Sequence, residues 1–268
     1  MNRDRRKLLI VGAAVGAFAL TALLARSCVK RQPQTSDGSR APPRPAGRPK
    51  PLVEEDVGPT LQRLDAWYAA HLSDRYKLNP PATDVQIDAF QRLVGITFPR
   101  SYRQLYRWHD GENDDRWGHI YGLPMVSLSV AESEWRAWNR VLIDLKGDRY
   151  AIPGGSWPSG AVDPAYINPR RIPLTIDGSG NSIGLDFDPW PAGRVGQVIL
   201  YGRDEDTKAA LAPSLGAFLT WIADLLEGGN FRLGPELGHT MLREFRLKTP
   251  PVDHFPDGAR RLLGAPPD

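Results

Sequence analysis

Cysteine is almost absent from the sequence, which contains Cys28 and no other. A disulfide within the chain is therefore excluded, and cysteine pairing gives no information about the redox compartment. The sequence also shows no internal repeat. The folded part must be held together by its own core, for which a hydrophobic fraction of 41% is ample.

Basic residues are scarce beyond residue 50. Residues 1–50 hold eleven Lys and Arg residues against two acidic residues, which leaves 23 basic and 29 acidic residues in the rest of the chain. The overall charge of +3 therefore hides an acidic domain. Because phosphate contacts need clustered Lys and Arg residues, nucleic-acid binding is not expected. A basic protein would be a suitable partner.

Charged residues are also missing from residues 8–25, which follow four basic residues at the N-terminus. As a helix this run would be about 27 Å long, close to the roughly 30 Å of a bilayer core. It predicts an N-terminal hydrophobic helix that anchors the protein in a membrane without cleavage. A twin-arginine export signal at Arg5 and Arg6 and lipidation of Cys28 are alternatives. We expect the globular part to lie outside the cytoplasm, although Arg26 weakens the charge contrast and the cytoplasmic side stays open.

Composition predicts four segments along the chain. Residues 1–28 form the membrane anchor or signal segment. Residues 29–55 are rich in Pro and Arg and poor in large apolar residues, which is typical of a disordered linker. Residues 56–229 form the globular domain, and residues 230–268 form a C-terminal extension packed on it.

Several helices have start and stop signals in the sequence. Thr83 and Gln86 make a capping box, and Gly95 is placed to end that helix. Ser129 and Glu132 make a second capping box. Proline at positions 99 and 213 suits the first turn of two further helices.

The central feature of the sequence is a β-hairpin within residues 172–201. Ile183, Leu185 and Phe187 alternate with glycine and aspartate, as in a strand with one buried face. A turn-forming run precedes this strand, and residues 197–201 form a second strand rich in β-branched and aromatic residues. We therefore predict a hairpin with a long loop at residues 188–193.

The hairpin and an upstream segment resemble the SUKH superfamily. The similarity lies in a proline-led strand, a GN turn, a strand ending in D-x-D-P and a later GQV. Upstream, LVGITFPRSY at residues 93–102 followed by HDG is similar to the family's LG-x-x-LP-x-x-Y segment and NG pair. The superfamily is named after the Smi and Knr cell-wall-assembly regulators of yeast and includes many bacterial immunity proteins. The resemblance covers about residues 61–228 and implies a binding domain without shared catalytic residues.

The predicted fold is α+β. It consists of a mainly antiparallel β-sheet, preceded by the N-terminal hydrophobic helix, with the helices that start near Pro99, Ser129 and Pro213 packed on one face. The other face, together with the loops at residues 147–171 and 188–193, is predicted to be free to meet a partner.

Residues 109–119 contain two histidines and several acidic residues, which are suitable ligands for a divalent metal. No helical or strand spacing puts three of them on one face, so we interpret the segment as a solvated or partner-facing loop. Tryptophans beside Pro and Gly on loops are either core residues or binding anchors. The predicted partner-binding residues are Asp110, Glu112, Asp114, Asp115, Trp157, Asp186, Asp188, Trp190 and Arg194.

Three other patterns point to chemistry that the context does not support. Residues 180–184 match G-x-S-x-G, but a nucleophilic serine needs a strand-to-helix turn and here a turn leads into a strand. Asp177, Ser179, Asn181 and Asp188 match calcium-loop positions, but the required glycine and the flanking helices are missing. The paired aspartates at the strand end have no accompanying nucleophile or base. We therefore predict no catalytic residue, no metal and no cofactor.

Our main hypothesis is a membrane-tethered, non-enzymatic binding module, namely an immunity protein that neutralises a toxin by direct binding. The family resemblance and an acidic domain suited to a basic toxin favour it. One alternative is a regulatory scaffold of the cell envelope or cell wall. The other is a metal-dependent hydrolase that uses the carboxylates of residues 109–119 or 177–188. The expected partner is a toxin or an envelope protein, with no nucleic acid and no small-molecule substrate.

Overall fold

The computed structural model describes residues 41–72, 78–112, 118–234 and 245–267. The predicted anchor at residues 8–25, the lipidation candidate Cys28, and Asp114 and Asp115 lie outside these residues. Within the described ranges, no helix is both long enough and apolar enough to cross a membrane.

Six helices and seven strands occur in the described residues. The helices are α1 Gly58–His71, α2 Asp84–Val94, α3 Arg100–Trp108, α4 Leu128–Asp144, α5 Leu215–Glu227 and α6 Phe255–Leu263. The strands are β1 Gly155–Trp157, β2 Arg171–Pro173, β3 Asn181–Asp186, β4 Gln197–Gly202, β5 Thr207–Ala212, β6 Arg232–Leu233 and β7 Phe245–Arg246.

Local sequence signals set most of the helix ends. The capping box of α2 is confirmed, because the Thr83 side chain accepts from the Gln86 backbone and the Gln86 side chain accepts from the Thr83 backbone. Gly95 ends this helix with a φ of 65°, which glycine adopts without steric cost. The capping box predicted for α4 is wrong, since Ser127 is the N-cap and accepts a hydrogen bond from Val130 N.

The main sheet has the strand order β1-β5-β4-β3-β2. Every neighbouring pair is antiparallel except β1 and β5, which are parallel. The predicted hairpin is confirmed as β3 and β4, with Ile183 opposite Leu200 and Leu185 opposite Val198. The α+β fold with a mostly antiparallel sheet is therefore confirmed.

One face of the hairpin contributes to the main core. Ile183, Leu185, Val198 and Leu200 point to this face and are fully buried. Helices α1, α3 and α5 pack against one another, and α5 also packs on β4 and β5. The largest buried helical residues of this core include Leu64, Tyr68, Ile87, Tyr102, Phe218 and Ile222.

The opposite face of the hairpin is also buried, which corrects the prediction that it is free. Every residue of β3 and β4 is buried, and Ile199 and Tyr201 pack against Ala161 and Val162. The segment at residues 147–171, predicted as a long loop, folds over this face and contributes β1. A strand covered on both faces cannot meet a partner directly.

Part of the predicted disordered linker is bound to the domain. We call residues 44–57 the N-terminal arm. Arg44 Nη2 donates to the Pro189 carbonyl over 2.8 Å, and Lys50 N donates to the Gly193 carbonyl over 2.9 Å. For these residues the prediction of disorder differs from the structure, because the arm finds backbone partners in the loop between β3 and β4.

The end of the arm caps α5. The Glu55 carboxylate accepts from Ser214 Oγ over 2.6 Å and from Gly216 N over 3.0 Å. A carboxylate at a helix N-terminus is stabilised by the unsatisfied N–H groups and by the helix dipole. A Cβ on Gly216 would lie 2.7 Å from this carboxylate, so only glycine allows the contact without a shift.

The C-terminal residues also contribute to the core. Tyr121 stacks on Phe245 and on Phe255, with ring centroids 5.0 Å apart in both pairs. Arg260 of α6 is 2% exposed; it pairs with Glu205 and donates to the Thr207 carbonyl over 2.7 Å. These contacts join α6 to β5.

A double-mutant cycle tests the docking of the arm. Alanine is a better helix former than glycine by up to about 1 kcal/mol, so Gly216→Ala should stabilise the Glu55→Ala variant. In the wild type the added Cβ displaces Glu55, and we expect Gly216→Ala to reduce the free energy of unfolding by about 1 kcal/mol. Equilibrium unfolding in urea measures both values. Equal effects of Gly216→Ala in the two backgrounds would contradict the docked arm.

Candidate partner-binding surface around helix α4

The acidic segment that was predicted to face a partner stabilises the start of helix α4. Asp110 Oδ1 accepts from Leu128 N over 2.7 Å, which places its charge at the first turn of that helix. Glu112 is buried: its Oε1 accepts from His119 N and Met125 N, and its Oε2 lies 3.1 Å from His119 Nδ1. Both side chains therefore support the local fold.

Asp186 lies inside the domain at the end of β3. Its Oδ1 accepts from Asp188 N over 3.0 Å, and its Oδ2 accepts from Gln197 Nε2 over 3.1 Å. Burial raises the pKa of Asp186 to about 6, against the opposing charge of Arg171 on the neighbouring strand. The residue fixes the base of the hairpin loop.

Asp188 belongs to a polar network that ties three segments together. Its Oδ2 accepts from Arg149 Nη2 and Asn168 Nδ2, each over 3.2 Å, and its Oδ1 lies 3.3 Å from Arg44 Nη1. Arg149 Nη2 also donates to Asp163 over 2.7 Å. The predicted contact residue therefore joins the arm, the hairpin loop and the segment that covers the sheet.

Of the remaining predicted contact residues, Trp190 and Arg194 lie in or next to the hairpin loop, and Trp157 lies on β1 beside β5. Trp190 is 8% exposed, and its backbone N–H donates to the Ala161 carbonyl over 3.2 Å. Trp157 is half-buried against the main core. Arg194 is half-buried too and donates from Nη1 to the Pro51 carbonyl over 2.8 Å. The structure thus gathers the hairpin residues in one region and leaves Asp110 and Glu112 beside α4.

The calcium-loop residues do not converge. Asp177 accepts from Ser179 and Asn181 in a local turn, whereas Asp188 follows the far end of β3. Within the described part of the chain, no three His, Cys, Asp or Glu side chains are grouped as metal ligands. Ser182, the serine of the G-x-S-x-G pattern, lies inside β3 opposite Tyr201 and is buried.

Helix α4 is the least covered of the long helices. Its buried residues are Leu128 and Ala131, both in the first turn and a half, and residues 132–144 are half-buried or exposed. Ile143 is 74% exposed. Trp135, Trp138 and Leu142 form an apolar stripe along α4 that the domain covers only partly. Incompletely covered apolar surface of this kind is typical of protein-binding sites.

A cleft separates the inner side of α4 from the covered face of the sheet. Trp135 Nε1 donates to the Pro169 carbonyl over 2.8 Å and closes one end. Trp138 meets Tyr166 edge to face, with centroids 5.5 Å apart. The lining residues are Glu134, Trp135, Trp138, Asn139, Tyr166, Ile167, Asn168, Pro169, Arg171, Pro173, Ser182 and Tyr201.

Glu134 also lines this cleft, and it was not among the partner-binding residues predicted from the sequence. Partial burial raises the pKa of Glu134, and the charge of Asp177 raises it further. The available signal was its spacing, because residues 134 and 138 are four apart and share one helix face. The apolar stripe of α4 therefore contains a carboxyl group beside its second tryptophan.

The raised pKa of Asp186 predicts a pH-dependent stability. Between about pH 4 and pH 6 the folded chain retains a proton that the unfolded chain has lost, so the free energy of unfolding falls as pH rises through this window. The loss is at most about 3 kcal/mol by pH 7. Asp186→Asn removes the titrating carboxyl group and with it this pH-dependent part of the free energy of unfolding. The variant should therefore lose less stability than the wild type between pH 4 and pH 7. Urea unfolding at both pH values measures this, and equal losses would contradict it.

Comparison with known proteins gives a family and several relatives. Residues 81–221 match the model of the SMI1 / KNR4 family (SUKH-1). The chain is 33% identical over 221 residues to the cell wall biosynthesis/cell cycle regulator smi1 of Schizosaccharomyces pombe, covering 78% of this chain and 41% of that protein. It is 28% identical over 234 residues to the cell wall assembly regulator SMI1 of Saccharomyces cerevisiae, covering 72% of this chain and 46% of that protein. It is 26% identical over 232 residues to a glucan synthesis regulatory protein of Neurospora crassa, covering 74% of this chain and 44% of that protein.

These relatives correct two predictions. The immunity-protein hypothesis is wrong, because the matched proteins are fungal and are named as regulators of the cell wall. The prediction of a membrane-anchored protein with an extracytoplasmic domain is corrected as well. The same relatives are named as regulators of the cell wall.

The matches cover most of this chain but only part of each relative. The chain spans less than half of the length of these three relatives. The match to the family model covers more than half of the present chain and includes α2 to α4, the complete main sheet and half of α5. The chain therefore belongs to the SMI1/KNR4 family (SUKH-1).

Proposed function

We propose that this chain is a non-enzymatic, protein-binding module that takes part in regulating cell-wall assembly. The observation that carries the proposal is the similarity over most of the chain to proteins named as regulators of cell wall assembly, cell wall biosynthesis and glucan synthesis. A regulator of this kind acts through contacts with other proteins. The function of the whole relatives is transferred only as a proposal, since the chain matches less than half of their length.

The surface of α4 supports the binding part of the proposal. Aromatic side chains are enriched at protein interfaces, and α4 presents Trp135 and Trp138 half-buried beside the exposed Ile143. The acidic excess of residues 51–268 suits a basic partner.

The hairpin loop remains a second proposed contact region. Asp188 and Arg194 are only partly buried there, and Trp157 is partly buried on β1; all three stay predicted partner contacts. Glu112, Asp186 and Trp190 are buried, so any effect of theirs on binding would act by holding neighbouring segments in place.

The segment boundaries also stay proposals. We propose residues 56–229 as the family domain and residues 230–268 as an extension of its core. The contacts of Phe245, Phe255 and Arg260 support the second assignment.

Deleting the gene in pure culture tests the proposed function. We expect altered cell shape and a lower inhibitory concentration of a wall-perturbing compound, because a regulator of the wall is needed without any attacking cell. The wild-type gene supplied on a plasmid is the matched control and should restore both properties. Normal shape and unchanged sensitivity of the deletion strain would contradict the proposal.

A further inference from the structure

Glu134 has an unusual position for a carboxylate. Its side chain lines the cleft beneath α4 and is partly buried, yet no hydrogen bond or ion pair to it occurs among the described residues. Glu132, two residues earlier on the same helix, accepts from Arg136 Nε over 2.8 Å. A carboxylate removed from water without a partner is unfavourable unless a counter-charge is supplied.

The rings around Glu134 suit a cation. Trp138 and Tyr166 are half-buried at the mouth of the cleft, and Tyr201 lies deeper with 7% exposure. The face of an aromatic ring attracts lysine and arginine side chains. Two rings that line the cleft already make such a contact within the domain, since Arg171 lies 5.5 Å from the centre of the Tyr201 ring and Lys208 lies 5.8 Å from that of Tyr166.

The charges near the mouth disfavour an anion. Asp177 is close enough to Glu134 to act on it electrostatically, and Asp204 and Arg203 form a pair near Tyr166. The positive charge of Arg171 is directed elsewhere: its Nη1 donates to the Ala165 carbonyl over 2.9 Å, its Nη2 donates to the Asp163 carbonyl, and Asp186 lies opposite it on β3. Among the described residues, Glu134 therefore has a negative neighbour in Asp177 and no ion pair with a basic side chain.

The proposed protein-binding function points to a polypeptide as the source of the cation. The positive charges that a partner protein carries are those of its lysine and arginine side chains.

We propose that the mouth of the cleft beneath α4 binds the charged end of a lysine or arginine side chain of a partner protein, with Glu134 as its counter-charge and Trp138 and Tyr166 as the rings beside it. This inference rests on the proposed protein-binding function and specifies the chemistry of recognition. It also explains why α4 keeps a carboxylate within its apolar stripe.

Small capped amino acids test the site in the full chain by NMR. N-acetyl-arginine amide and N-acetyl-lysine amide are the cationic probes, and N-acetyl-citrulline amide is the neutral probe of nearly the same shape as the first. The readout is the indole N–H signal of Trp138, assigned with Trp138→Phe. We expect saturable shifts with a dissociation constant on the order of millimolar for at least one cationic probe and much weaker binding of the citrulline probe.

Two glutamine variants provide the matched comparison. Glu134→Gln removes the counter-charge and should weaken binding of the cationic probe about fivefold or more, whereas Glu132→Gln changes the outward ion pair and should bind as the wild type does. Binding of the citrulline probe as tight as that of the arginine probe would show a neutral site and overturn the proposal. Equal affinities of Glu134→Gln and wild type would overturn it too, as would the absence of any shift at Trp138.

A failure of this cation site can be distinguished from a failure of the proposed function. The probe titration needs no natural partner, and the gene-deletion phenotype does not depend on this cleft. Probe binding that depends on Glu134, together with a deletion strain of normal wall sensitivity, would keep the cation site and reject the role in the cell wall. A wall phenotype without probe binding would keep the role in the cell wall and reject the cation site.

Discussion

The structure depends on the burial of the β3–β4 hairpin on both of its faces. One face presents Ile183, Leu185, Val198 and Leu200 to the helical core and is stabilised by removal of apolar surface from water. The other face carries Asp186, Gln197 and Tyr201, whose polar atoms need partners once water is excluded. The segment at residues 147–171 supplies the Ala161 carbonyl to Gln197 Nε2 and the Arg171 side chain beside Asp186 and the Tyr201 ring.

This requirement explains why charged residues occur so deep in the domain. Arg171 bonds two carbonyls of the covering segment and lies opposite Asp186, so the cost of burying its charge is partly offset by hydrogen bonds and by an opposite charge. Asp163 accepts from Arg149 Nη2 and Tyr150 Oη in the same region. The hairpin loop that looked like a free recognition surface is thereby engaged by the rest of its own chain, including the N-terminal arm.

Helix α4 differs from this engaged region. Its fully buried contacts with the main core are made by Leu128 and Ala131, and Trp135 packs against the same core while remaining half-buried. Trp138 in the next turn is also half-buried. A rigid helix that the fold does not fully cover is a suitable platform for a partner, because binding it orders few additional groups. We therefore propose α4 as the main recognition surface and the partly buried residues of the hairpin loop as the second contact region.

The sequence by itself determined the local features of this protein. Thr83 with Gln86 and Gly95 fixed the two ends of α2 through hydrogen bonds and a left-handed cap, and the alternation around Ile183 fixed the central strand, because these signals act between residues close in the chain. Only the tertiary structure decided which surfaces are free. The Asp188 carboxylate meets Arg44 and Arg149, which are 144 and 39 residues away, while Glu134 forms no ion pair within the described ranges of the chain. Spacing along the chain carries no information about such distant pairs, so the exposure of α4 and the burial of the hairpin loop followed only from how the chain packs in three dimensions.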